Sequence, residues 1–135
     1  GQWCWHYHAR RGVVVSRYPV FAVHQDGMGP MGLLKLTSVG GKDFQAYIHK
    51  GLSWLSRSNE LGAEMVDSKE NYIWRDIERK APVNRVRYVS MMLAEIGVTS
   101  PIQKIDAIRF LKVNYEIRPY ELGWLLYAFA DQFDD

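Results

Sequence analysis

Cysteine, net charge and long apolar runs are what this sequence has least of. Cys4 is the single cysteine, so no intramolecular disulfide can form. A reducing compartment is the simpler setting, and a cytoplasmic location is expected. No run approaches the ~20 apolar residues that a bilayer-spanning helix needs. The start of the chain also lacks the charged and then apolar order of a secretory signal, so no membrane partner is expected. Seventeen Lys and Arg against fifteen Asp and Glu leave a formal charge of +2, too little to mark a nucleic-acid footprint. Arg10-Arg11, Arg85 and Arg87 are short clusters rather than a basic stripe, so no nucleic-acid partner is expected either.

Recognisable catalytic cradles are missing too. There is no GxSxG elbow, no GxxxxGK[ST] phosphate loop, and neither HExxH nor CxxC, the spacings that mark nucleophilic, nucleotide and zinc chemistry. No DDxxD-type acidic cluster is present to hold magnesium and a diphosphate. Nucleotide-dependent reactions and metal-dependent prenyl transfer are therefore disfavoured, and neither a cofactor nor a metal is expected. His6 and His8 with His24 or Asp26 could supply three zinc ligands and an open position, but nothing else in the spacing supports such a site.

What is present is an ordinary globular composition. The 135 residues are 47% hydrophobic and 24% charged, enough for one domain to bury a core without staples. The first residue is Gly1 rather than Met, which leaves open an excised piece with a missing N-terminal portion or a tag remnant.

Gly12 to Val23 is rich in β-branched and aromatic residues and reads as extended. Pro19 within it points to an edge or an ordered loop, since proline cannot donate to a ladder. With no second strand in view, this segment is expected to lie across helices. Pro30 opens a helix towards Ser38 that Gly40-Gly41 stops, and Asp43 starts another through Phe44, Tyr47, Ile48, Leu52 and Leu55. Ser56 to Asp67 reads as a loop, marked by Asn59 and Gly62. Glu70 to Arg79 reads as a helix with Ile73, Trp74 and Ile77 on one side, ended by Ala81-Pro82. Further helices are expected from Asn84 to Gly97, from Ser100-Pro101 to about Leu111, and from Pro119 through Phe133. The expected fold is mainly α: one domain, residues 1–135, with an extended segment over 1–26 and antiparallel helical hairpins over 27–135.

Chemistry-bearing residues gather near the amino end. Trp3, Trp5 and Tyr7 alternate with Gln2, His6 and His8, which puts three rings on one face if the backbone is extended. Flat rings of this kind stack on sugars or isoprenoid chains, or else anchor the segment by packing. His24-Gln25-Asp26-Gly27 places a base, an amide and a carboxylate before the helix start at Pro30. Asp26 either caps that region or faces a ligand, and an imidazole titrating near neutrality makes His24 a candidate general base. Trp74-Arg75 and Arg118-Pro119-Tyr120 each set a guanidinium beside an aromatic ring, suited to polyhydroxyl or carboxylate ligands or to an interhelical ion pair. Asp26 with Glu60, Glu64 or Asp67 is a candidate carboxylate pair for glycoside hydrolysis.

Three strings carry a resemblance. Gln2-Trp3-Cys4-Trp5-His6-Tyr7, the run Tyr18-Pro19-Val20-Phe21-Ala22-Val23-His24-Gln25-Asp26-Gly27-Met28-Gly29-Pro30-Met31, and Arg118-Pro119-Tyr120-Glu121-Leu122-Gly123-Trp124-Leu125-Leu126-Tyr127 resemble segments of bacterial α/α-toroid proteins. These have terpenoid-cyclase or prenyltransferase-like and six-hairpin glycosidase-like architecture, of a polysaccharide-associated type. The resemblance implies the closing portion of such a ring, about three hairpins, whose cut edge another copy or a missing N-terminal portion would cover.

Together these readings give a saccharide-binding cleft, with hydrolysis or epimerisation as the reaction if there is one. His24 and Asp26 are the candidate proton-transfer groups. Trp3, Trp5, His6, Tyr7, Arg17, Tyr18, Gln25, Trp74, Arg75 and Arg118 are the candidate contacts. The rivals are an interaction or homo-oligomerisation domain and an isoprenoid or lipid pocket.

Overall fold

The computed structural model describes residues 2–81, 88–89, 92–93, 96–98 and 108–130. Strands β1 (His6–Tyr7) and β2 (Val14–Ser16) form an antiparallel hairpin. Strand β3 (Val20–Phe21) follows a cis Tyr18–Pro19 peptide and runs directly into the short helix α1 (Ala22–Asp26). Helices α2 (Met28–Ser38) and α3 (Gln45–Leu55) come next. They are followed by a second antiparallel hairpin, β4 (Val66–Asp67) with β5 (Tyr72–Ile73), and then by β6 (Asp76–Arg79). A single 3-10 turn (Ile108–Phe110) leads into β7 (Leu111–Asn114), and helix α4 (Pro119–Phe129) ends the described chain. β3, β6 and β7 make an antiparallel sheet with β6 in the middle.

This is a small mixed α/β architecture, so the expectation of a mainly α toroid built from helical hairpins is overturned, and the family resemblance goes with it. The decisive segment is Glu70–Arg79, expected to be a helix and found as β5 and β6. Ile73 and Ile77 lie four residues apart, a spacing that puts them on one side of a helix and equally on one face of a strand. The run Tyr72-Ile73-Trp74 is β-branched and aromatic, which favours the extended form. Asn71 adopts φ 57° in the turn before β5, a left-handed conformation that asparagine tolerates better than most residues. The strand partners that the sequence seemed to lack are therefore these residues: β3 pairs with β6 through Val20↔Ile77 and Phe21↔Asp76. Leu111, expected in a helix, begins β7 and pairs with Arg79. The expected helices over 84–97 and 100–111 otherwise fall largely outside the described residues.

Helix α1 lies inside the stretch over 1–26 expected to be extended, and β4 inside the expected loop over 56–67, while local signals agree with the structure at α2, α3 and α4. Helix α2 ends at Ser38 before Gly40, whose φ of 87° suits glycine. Asp43 Oδ1 accepts the Gln45 amide at 2.9 Å at the start of α3, and Pro119 occupies the first turn of α4.

The core lies between the three-stranded sheet and α3. Tyr18, Val20, Ala22, Trp54, Leu55, Met65, Ile73, Ile77 and Leu111 form one buried cluster. Each large side chain there contributes roughly 1.5–3 kcal/mol through burial. The Trp54 indole N–H, taken out of water, donates to Glu60 Oε2 at 3.0 Å. On the open side of the sheet, Glu78 meets Lys112 at 3.0 Å across the β6–β7 register, a pair worth about 0.2–1 kcal/mol.

Helix α1 sits at the hub, packed against α2, α3 and α4. Two glycines permit the close approach. A Cβ on Gly51 would stand 2.7 Å from the Gln25 carbonyl oxygen, and one on Gly27 would stand 2.8 Å from Trp124 Cβ. These contacts hold the end of α1, and with it Gln25 and Asp26, against the rest of the molecule.

Candidate functional site

Three carboxylates from three separate elements are buried at this hub: Asp26 at the end of α1, Asp76 at the start of β6 and Glu121 in the first turn of α4. Asp26 is 0% exposed, and Asp76 and Glu121 are each 2% exposed. Among the described residues neither oxygen of Asp26 has a hydrogen-bond partner, and neither do Asp76 Oδ1 and Glu121 Oε1. Loss of water disfavours the ionised form of each group. Burial pushes Asp26 up to about 7, against the opposing pull of its own amide and that of Gly27. Burial, with Glu78 adding to it, pushes Asp76 up to about 6, while Arg75 and Asn114 pull it back. Glu121 is pushed up to about 8 by burial and then by the negative fields of Asp26 and Asp76, with Arg75 opposing. At neutral pH Glu121 is therefore mostly a neutral carboxylic acid.

A guanidinium chain borders the cluster. Arg75 Nε lies 3.5 Å from Asp76 Oδ2, and Arg75 Nη1 bonds Glu116 Oε2. Glu116 in turn holds Arg118. Glu116 is drawn below its usual value, first by the Arg75 hydrogen bond. Among the described residues the Nε atoms of Arg75 and Arg118 have no hydrogen-bond partner.

Beside Glu121 and Arg118 is a cavity of about 160 Å³, lined also by Tyr72, Ile73, Ile117, Pro119 and Leu122. Its wall is almost wholly apolar. At ~30 Å³ per water molecule it has the volume of about five waters. A second, larger hollow of about 680 Å³ lies between α2 and α4, lined by Met31, Leu34, Leu36, Val39 and Tyr127 among others.

The residues singled out in the sequence take several different positions. Gln25 is fully buried and grips the Trp3 main chain, accepting its N–H at 3.0 Å and donating to its carbonyl at 3.3 Å. The Trp3 ring fills the space over Gly29, where a Cβ would overlap Trp3 Cζ3. Trp5 is 52% exposed and stacks on His24, with ring centres 4.5 Å apart and planes 8° from parallel. It also meets His6 and Phe21 edge-on. Burial lowers the His24 pKa, so its imidazole is neutral at pH 7. Tyr7 is exposed on β1, and Arg17 is exposed after β2. Tyr18 is core, with the Arg79 guanidinium 5.6 Å from its ring centre. Trp74 stands edge-on to Tyr72 at 6.2 Å and to Tyr115 at 5.1 Å.

Arg75 lies 5.6 Å from the centre of the Phe21 ring, so the amino-terminal rings and the carboxy-terminal cations form one continuous series: Trp5 and His24, then Phe21, Arg75, Glu116 and Arg118. Asp26 makes no helix-capping hydrogen bond. The carboxylates considered as its partners are engaged elsewhere. Glu60 takes the Trp54 indole, Glu64 meets Arg57 at 3.5 Å, and Asp67 accepts the Lys69 amide. Its actual acidic neighbour is Glu121.

Glu121, Asp76 and Glu116 are the site groups that sequence reasoning did not select. Glu121 had one local signal, an acid two residues after Pro119 in a first helical turn. Asp76 and Glu116 acquire their place only through the β6–β7 pairing. Among the described residues no three His, Cys, Asp or Glu side chains converge in metal-binding geometry, and no helix there is long and apolar enough to cross a membrane. No protein-family model, curated protein or solved structure matches the chain.

Proposed function

We propose that this chain binds a saccharide unit in the cavity beside Glu121. The observation carrying this reading is that two side chains lining that cavity have unfilled hydrogen-bonding atoms of opposite kind, the acceptor Glu121 Oε1 and the donor Arg118 Nε. A sugar hydroxyl donates and accepts at once, so neighbouring hydroxyls can fill both. Ile73, Ile117, Pro119 and Leu122 suit the C–H faces of a ring, and Tyr72 adds an aromatic edge or face. Filling two buried polar atoms offsets about 1–3 kcal/mol of desolvation apiece.

Binding fits this wall better than turnover does. Glycoside hydrolysis needs two carboxyl groups flanking the bond, about 5–5.5 Å or 6.5–9.5 Å apart. Among the described residues lining the cavity, Glu121 is the one carboxylate, and Asp26 and Asp76 stand behind it, sealed from solvent.

The test is a fluorescence titration with a panel of mono- and oligosaccharides, using Trp74, whose ring contacts Tyr72. Saturable change is expected in the wild type and in Trp5→Phe, with an at least tenfold loss of affinity in Arg118→Met. If no saccharide alters the emission, or if Arg118→Met binds as the wild type does, the reading fails.

A further inference from the structure

The polar atoms around the cavity are unbalanced in one direction. Among the described residues the neighbourhood holds the carboxyl groups Asp26, Asp76, Glu116 and Glu121, with Glu78 also acting on Asp76, against the guanidinium groups Arg75 and Arg118. Both guanidiniums are already committed to Glu116, and Arg75 also to Asp76. The unfilled atoms show the same excess: four acceptor oxygens, on Asp26, Asp76 and Glu121, against two donors, Arg75 Nε and Arg118 Nε. What the site lacks is N–H donors carrying positive charge. A metal ion is a poor answer, since no three of these groups converge in ligating geometry among the described residues.

We propose that the ligand of this cavity is an amino sugar, its protonated primary amine seated against Glu121 with Asp26 and Asp76 behind. This rests on the saccharide reading above and narrows its substrate class. An ammonium brings three donors and a full charge on a small volume, so one N–H can fill Glu121 Oε1 while its charge is felt by the two carboxyls sealed behind. A hydroxyl in the same place brings one donor and no charge. Arg118 does not repel the amine strongly, because Glu116 holds and neutralises it. The buried Ile73 side chain keeps water from one side of the charge pair, which strengthens it.

Glu121 is neutral at pH 7 in the empty site, and an ammonium stabilises its ionised form, so binding expels a proton. Asp26 on α1 and Asp76 on β6 raise this titration after burial itself, and Arg75 just before β6 opposes them, Arg75 in turn facing Glu116 and Tyr120. As pH rises from about 6 to about 8 less proton must be displaced, and affinity increases, provided the amine itself stays protonated.

The experiment is isothermal titration calorimetry on the intact chain with glucosamine, N-acetylglucosamine and glucose, at pH 7 in two buffers of different ionisation enthalpy. Glucosamine is expected to bind at least tenfold tighter than the other two and to release protons. Glu121→Gln, with its fold checked by circular dichroism, is expected to abolish both the preference and the proton release. Leu122→Phe, which narrows the cavity from an exposed position on α4, serves as a second variant and is expected to weaken glucosamine at least tenfold. If the three sugars bind alike, the amine assignment is overturned and the saccharide reading stands. If none binds, both fall. A glucosamine preference that survives in Leu122→Phe and in folded Glu121→Gln overturns the assignment to this cavity.

Discussion

The Gln25 side chain holds both main-chain polar groups of Trp3, twenty-two residues earlier: Oε1 accepts the N–H at 3.0 Å and Nε2 donates to the carbonyl at 3.3 Å. Nε2 also reaches the Phe21 carbonyl at 3.3 Å. One amide thus stands in for a strand partner and fixes the amino-terminal segment onto α1. Gln25→Ala removes these bonds and leaves a void, and is expected to cost about 2–3 kcal/mol. Urea denaturation measures the loss. Trp3 should become accessible to iodide quenching in the still-folded variant, and unchanged quenching would show that the strap is held by something else.

Stability should fall as pH rises from about 5 to about 8. Asp26, Asp76 and Glu121 bind protons more tightly in the folded chain than in the unfolded one, with folded values of about 7, 6 and 8. Their contribution is fully present below the unfolded carboxyl values and is lost as pH passes the folded ones. His24 works the other way, because its lowered value makes protonation below the ordinary 6.5 costly in the folded state. Glu116, held low by Arg75, likewise loses its contribution in acid. The three large carboxyl shifts set the sign between those extremes. Thermal denaturation across this range checks it: Tm should decline towards pH 8 in the wild type and decline less in Glu121→Gln. A Tm that climbs steadily to pH 8 would refute the burial of these three carboxyls.

The parts of this fold that were legible in the sequence are those governed by local chemistry. Pro30, Gly40 and Asp43 mark α2 and the start of α3, and Pro119 marks α4, because caps and breakers act within a turn of where they stand. The strands were less legible. Val20 and Ile77 pair across fifty-seven residues, and nothing near either announces the other. Ile73 and Ile77 do not distinguish helix from strand, because their interval satisfies both periodicities. At the site, the aromatic and HQDG clusters drew attention through their composition alone. Glu121 and Asp76 are single acids in unremarkable company, and their meaning comes from being buried beside Asp26.

Two glycine-to-alanine substitutions should move stability in opposite directions. At Gly51 the added methyl meets the Gln25 carbonyl oxygen at 2.7 Å, so α1 and α3 must separate, at a cost of about 1–3 kcal/mol. At Gly32, exposed on α2, the same methyl meets nothing within 4 Å, and the better helix propensity of alanine stabilises by up to about 1 kcal/mol. Denaturant midpoints for the two variants decide whether α1 is as tightly seated as its contacts indicate. A neutral Gly51→Ala would mean that it is not.

The Tyr18 carbonyl is served twice, by Ser16 Oγ–H at 2.9 Å and by Arg79 Nη1 at 3.0 Å, and Arg79 Nη1 also donates to Ser16 Oγ at 3.2 Å. Removing either side chain breaks its own bond to the carbonyl and also the Arg79–Ser16 bond. The Arg79–Ser16 bond is lost in each single variant but only once in the double, so Ser16→Ala and Arg79→Met should be non-additive, the double variant losing about 1 kcal/mol less than the two single losses combined. Additive losses in urea denaturation would mean that Ser16 and Arg79 are not coupled, and that the β2–β3 connection is held down by packing of the Tyr18 ring instead.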